Sequence, residues 1–138
     1  MTPKSSSAVI SETMSDVPDN LYYTAEHEWI RVEGDEMVIG ITDHAQNALT
    51  DIVYVELPEI GSEFGENDEF ATVESVKSVS SIFAPLSCCI ISINEELDDA
   101  PELINQDPYG EGWIVKVTSD ADPSKLLSAS DYLDLIGE

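Results

Sequence analysis

Glu69-Phe70-Ala71-Thr72-Val73-Glu74-Ser75-Val76-Lys77-Ser78-Val79-Ser80-Ser81-Ile82-Phe83-Ala84 is the stretch on which the fold turns. Residues 69–76 and 78–84 are rich in β-branched and aromatic side chains, so each half reads as a short strand. Lys77 stands at the break between them, where a hairpin tip leaves a long side chain free in solvent. It is the only Lys or Arg between Arg31 and Lys116, in a segment crowded with carboxylates. Acids such as Glu69 and Glu74 favour its ammonium form, which makes it a poor free nucleophile and a poor Schiff-base lysine. Spacing alone allows two readings: a residue modified by another enzyme, or a lone lysine that keeps a strand edge soluble.

Outward from this stretch the pattern stays β-rich. Trp29-Ile30-Arg31-Val32-Glu33 alternates, Gly34-Asp35 offers a turn, and Glu36-Met37-Val38-Ile39-Gly40-Ile41 completes a hairpin. Thr42 or Asp43 can cap a short helix through Leu49, and Asp51 to Leu57 is a strand stopped by Pro58. Leu86 to Ile93 and Trp113 to Val117 read as further strands, with the middle of the chain a β-meander. Asp98 or Asp99 can cap a helical turn near Pro101, and residues 128–136 place Tyr132, Leu135 and Ile136 at helical spacing after Ser128 or Ser130. The expected fold is mainly β, with short peripheral helices and a C-terminal helix.

The chain has 138 residues, 42% apolar and 25% charged, which suits one globular domain. Twenty-nine acidic against 5 basic residues give a formal charge of −24, which disfavours phosphate backbones and anionic membranes. No apolar stretch approaches the roughly 18 residues that span a bilayer. Residues 1–19 hold one Lys, no Arg and no apolar block, so they read as a flexible extension before a domain at 20–138. They resemble neither an export signal nor an Arg-rich transit peptide. The only cysteines, Cys88 and Cys89, are adjacent, with Cα atoms about 3.8 Å apart, too close for an unstrained disulfide; they read as packing residues in a reducing compartment. Phosphate-binding, HExxH and GxSxG motifs are absent, and His27 and His44 lack metal-ligand spacing.

The segments Glu74-Ser75-Val76-Lys77-Ser78, Gly40 to Gln46 and Ile52 to Pro58 together resemble the glycine cleavage system H protein family. The likeness continues through Phe83-Ala84-Pro85, Ile93 to Leu97, Pro101 to Asn105 and Asp107 to Trp113, covering roughly residues 20–136. It implies a lipoyl-domain fold, a flattened barrel or sandwich of two small antiparallel sheets, with lipoate amide-linked to Lys77. It also implies a non-catalytic carrier. Such a carrier shuttles the aminomethyl group of glycine from the pyridoxal-phosphate glycine decarboxylase to the tetrahydrofolate-dependent aminomethyltransferase. Dihydrolipoamide dehydrogenase reoxidises the arm, and a lipoate ligase or an octanoyl or lipoyl transferase installs it. In this family Glu26-His27-Glu28-Trp29 aligns with one wall of a cleft that shelters the loaded arm. Glu28 is then the candidate contact to its amine, and Trp29 a core residue.

A carrier serving three enzymes works as a monomer, expected in the bacterial cytoplasm, or in the mitochondrial matrix if the source is eukaryotic. Two readings compete with it. A biotin carrier shares the fold, but its lysine is usually flanked by methionines, whereas Val76 and Ser78 flank this one. An H-like lipoyl donor or regulatory adaptor would keep the lysine without serving glycine oxidation. The chain departs from the family pattern at Thr50 and Cys88, where glycine is usual, and at Ser81, where an acid is common. If the missing glycines serve positive φ, Thr50 and Cys88 carry backbone strain.

Overall fold

The computed structural model describes residues 17–137; the expected extension therefore falls, up to residue 16, outside the described residues. The strands are β1 (Tyr22–Tyr23), β2 (Glu28–Glu33), β3 (Glu36–Ile41), β4 (Ile52–Glu56), β5 (Glu63–Phe64), β6 (Glu69–Ser75), β7 (Val79–Phe83), β8 (Cys88–Ile93) and β9 (Val115–Thr118). The helices are α1 (Asp43–Leu49), α2 (Glu96–Asp99), α3 (Leu103–Gln106) and α4 (Ala129–Ile136). Two antiparallel sheets result, one in the order β1-β2-β3-β9-β8-β5 and one in the order β4-β6-β7. Neither sheet's first strand pairs with its last, so the expected flattened sandwich forms without closing into a barrel.

The main core lies between the two inner faces. Ile30, Ile39, Ile41, Val115 and Val117 come from the large sheet, and Val55, Phe70, Val73 and Ile82 from the small one. A second cluster covers the other face of β2, where Trp29 packs with Tyr23, Val38 and Tyr132 of α4. Trp29 is thus buried on the face where simple alternation would put solvent, and its indole N–H donates to the Pro108 carbonyl at 2.9 Å. Gly40 lies across from it, and a Cβ there would sit 2.7 Å from the indole ring.

Several expectations are corrected. The middle of the chain is not a meander: β5 and β8 join the large sheet while β4, β6 and β7 form the small one. Burial of both sheets against one core decides that partition, and local pattern does not reveal it. Asp98 and Asp99 are no caps, because they lie inside α2, and Glu102 precedes α3. Thr42 and Ser128 do cap α1 and α4, each hydroxyl accepting a backbone N–H three residues on.

The two glycine departures separate. Cys88 lies buried in β8 and is not among the positive-φ residues, so it carries no such strain. Thr50 has φ 66° and ψ −145°, near a region that only glycine occupies easily. Asn105 holds it there, its amide donating to the Thr50 carbonyl at 2.7 Å and its oxygen accepting from the Ile52 N–H at 2.9 Å. Thr50→Gly is expected to raise stability by about 1 kcal/mol, strain relief outweighing the added freedom of the unfolded chain. Urea titration checks this; a midpoint at or below wild type would show the strain is relaxed in solution.

The charge has its own consequence. Among the described residues a single ion pair forms, Arg31 Nε to Glu33 at 2.8 Å, which leaves the carboxylate excess uncompensated. Self-repulsion of that kind is screened as the Debye length falls from about 10 Å at 0.1 M salt to about 3 Å at 1 M. The melting temperature should therefore rise by several degrees between dilute buffer and 1 M KCl, and a flat salt profile would refute the argument.

Candidate functional site

Lys77 sits where the strand pattern places it. Glu74 pairs with Val79, and the Ser75 N–H bonds the Ser78 carbonyl at 2.8 Å, so Val76 and Lys77 form a two-residue tip. Neither adopts positive φ, as the usual tight hairpin turns require. The Ser75 hydroxyl compensates: it accepts the N–H groups of Lys77 at 3.2 Å and Ser78 at 3.1 Å. A further bond, from the Val76 N–H to the Asp51 carbonyl at 3.1 Å, ties the tip to the start of β4. Lys77 is exposed and, among the described residues, forms no ion pair.

The same two strands run from the tip to a cleft of about 140 Å³. Val73, Ser80, Ser81 and Ile82 supply one wall, and Ala45, Ala48 and Leu49 of α1 face them, with Glu26, His27 and Glu28 at one end. At about 3.3 Å per residue, Ser80 and Ile82 lie roughly 10 and 17 Å along the strand from Lys77. The cleft is mostly apolar, and its volume is below the several hundred Å³ usual for a site that encloses a whole small molecule. A larger polar hollow of about 840 Å³ opens at the far end of the β2–β3 hairpin, around Gly34, Asp35, Cys88 and Cys89. No group of His, Cys, Asp or Glu arranged to hold a metal occurs among the described residues.

Glu28 is no ordinary surface acid. It is only 2% exposed, on the same face of β2 as Ile30, where it reaches into the space between the sheets. Its carboxyl accepts the Thr24 hydroxyl at 2.6 Å and the Phe83 N–H at 3.2 Å. Burial pushes its pKa up to about 7; those two bonds oppose the rise, and Glu26 adds to it. His27, beside it, has φ 71°; its ring meets the Tyr132 hydroxyl at 2.7 Å, and its centroid lies 4.9 Å from that of His44 with the planes tilted by 37°. Burial lowers its pKa, and His44 lowers it further. The Tyr132 hydroxyl also meets the Thr42 hydroxyl at 2.8 Å, so α4 braces both the His27 turn and the start of α1.

The structure thus brings Glu28 and His27 into one cleft with Ser81, and leaves Trp29 out of it in the core. Sequence reading missed the α1 wall, whose Ala45, Ala48 and Leu49 looked like ordinary helix residues. Thr24 and Ser75 were missed as well, because their roles follow from the burial of Glu28 and the fold of the Lys77 tip, which local sequence does not show.

The glycine cleavage H-protein family model matches residues 21–138. The chain belongs to that family. Curated relatives include the glycine cleavage system H proteins of Herpetosiphon aurantiacus, 56% identical over 86% of this chain and 92% of its own length, and of a Psychrobacter species, 55% identical over 86% and 97%. Among solved structures, the H protein of Mycobacterium marinum superposes with a TM-score of 0.83 at 40% identity, covering 88% of this chain and all of that one. Family membership supports a carrier role in the glycine cleavage system. No helix among the described residues is long and apolar enough to cross a membrane.

The Glu28 environment has a measurable sign. Its folded pKa of about 7 lies above the ordinary glutamate value of 4.5, so the folded chain keeps a proton that the unfolded chain releases between those values. Stability from this group is full below that window and is lost as pH rises through about 7. Glu28→Gln keeps an acceptor without the charge, so its advantage over wild type should grow from about pH 5 to about pH 8. The gain should reach at most on the order of 3 kcal/mol. Parallel melts of the two proteins across pH check this, and a constant difference would mean Glu28 titrates like an exposed acid.

Proposed function

We infer that the chain is the lipoyl carrier of the glycine cleavage system, a component without catalysis of its own, with lipoate joined as an amide to Nζ of Lys77. The observation that carries this reading is an exposed lysine on a pinned two-residue tip whose strands lead to a cleft ending at a buried acid. When bound, lipoate supplies a dithiolane on a flexible arm that can carry an aminomethyl group and undergo oxidation and reduction. The residues of this chain fit such an arm. Lys77 tethers it in the open, which raises its effective concentration at each partner enzyme. The apolar walls of the cleft exclude water from its end. Glu28, once ionised, offers a carboxylate to a cationic amine, and Ser81 sits in the same wall as a neutral residue.

The partners of this reading are the glycine decarboxylase that supplies the group, the aminomethyltransferase that removes it and dihydrolipoamide dehydrogenase, which reoxidises the dithiol. Attachment falls to a lipoate ligase or an octanoyl or lipoyl transferase. In the ligase route the Lys77 amine loses a proton to solvent and attacks the carbonyl carbon of lipoyl adenylate. The amide C–N bond forms as the C–O bond to AMP breaks. A monomer in the bacterial cytoplasm suits this traffic.

The test is intact mass after incubation with lipoate, ATP and a lipoate ligase, followed by peptide mapping. One lipoyl increment on Lys77 and none in Lys77→Arg is the expected result; an unmodified wild type would overturn the reading. Reconstitution with the three partner enzymes then decides function, because a carrier supports glycine-dependent NADH formation and an H-like lipoyl donor or adaptor does not.

A further inference from the structure

Four of the seven large apolar side chains that stand exposed among the described residues gather at one place: Val53, Tyr54, Val76 and Val79, exposed by 49%, 53%, 65% and 65%. All lie on the outward side of the β4-β6-β7 sheet or on its Lys77 tip. The register explains the arrangement. A bulge between Ile52 and Tyr54 interrupts the pairing of β4 with β6, and it turns two consecutive residues, Val53 and Tyr54, to solvent while Ile52 and Val55 stay buried. Tyr54 is then level with Glu74, and Glu74 with Val79, so Tyr54, Glu74 and Val79 form one row across the sheet just below the tip.

The patch is held rigid from beneath. Asn105 bonds both the Thr50 carbonyl and the Ile52 N–H, Asp51 between them accepts the Val76 N–H, and the Ser75 hydroxyl closes the tip. A rigid apolar surface loses little conformational freedom when covered. Its margins are acidic, with Asp51 and Glu56 exposed on either side and Glu74 within the row. Chemical complementarity therefore asks for an apolar hollow ringed by Lys or Arg.

We propose that this face is the docking surface for the enzyme that acylates Lys77, which presents such a hollow. The inference rests on Lys77 being the attachment site. An enzyme that forms the amide must bring its active site to Nζ, one lysine side chain from the backbone, so its surface covers Val76, Val79 and the row below. Enzymes acting on the far end of the arm work a full arm's length from the tip and can leave this face bare. The bulge thus serves recognition: it adds a second apolar residue to a strand that would otherwise show one.

The experiment uses the unmodified full chain with a purified lipoate ligase, lipoate and ATP, and reads mass gain against carrier concentration. In Tyr54→Thr/Val79→Thr, which keeps β-branched residues in exposed strand positions, KM for the carrier should rise about tenfold with kcat within twofold. Val32→Thr removes an exposed apolar residue elsewhere and should leave both constants unchanged. Independently of any variant, hydrogen exchange on the wild-type complex should slow at residues 52–54 and 76–79. Wild-type KM in the double variant, or a footprint elsewhere, overturns the proposal. So does a loss confined to reaction with glycine decarboxylase, which would assign the face to that partner. A wild type that gains no lipoyl mass removes the attachment site itself, and the docking surface falls with it.

Discussion

The placement of Lys77 follows from the register in which β6 meets β7. Val73 and Ile82 must face the core, and side chains alternate along a strand, so only pairings that keep both inside are allowed. Glu74 opposite Val79 satisfies that demand, and the bond from Ser75 to Ser78 then leaves two residues for the tip. Val and Lys at a two-residue tip are poor turn formers, and the Ser75 hydroxyl takes over the backbone N–H groups that a glycine turn would otherwise arrange. The lysine is exposed because the core takes Val73, Ser75 and Ile82 from the two strands and leaves the tip outside.

The same partition of side chains explains the cleft. Strand β2 is covered on both faces, by the small sheet on one and by α4 with its Tyr132 on the other. At the start of β2 the inner face opens to solvent at the cleft between β7 and α1. Glu28 occupies that gap, which is why its charge is costly there and would be unremarkable two residues past the end of the strand. His27, forced to positive φ at the entrance, and Tyr132, bonded to both His27 and Thr42, keep the gap in register with the helix.

Much of the fold was legible because it is written in local signals. The Gly34-Asp35 hairpin, the Thr42 and Ser128 caps and the two halves around Lys77 come from alternation and turn chemistry, and each lies within a residue or two of where the pattern puts it. Strands β1 and β5, two residues each, were not legible, since nothing that short carries a period. Nor was the fate of the two missing glycines. Thr50 is bent because Asn105, distant in sequence, holds it on both sides, whereas Cys88 simply continues a strand.

The sequence by itself determined the chemistry: an isolated lysine between two β segments, a strongly acidic surface, and motifs in an order that marks the family. Those properties belong to residue types and their neighbours along the chain, and folding only displays them. The tertiary structure decided which acid among 29 is buried, which helix faces the hairpin, and which apolar side chains are left outside around the tip. These depend on contacts between segments far apart in the chain. A carboxyl group's pKa and a valine's exposure are set by what packs against them, and local sequence does not contain that information.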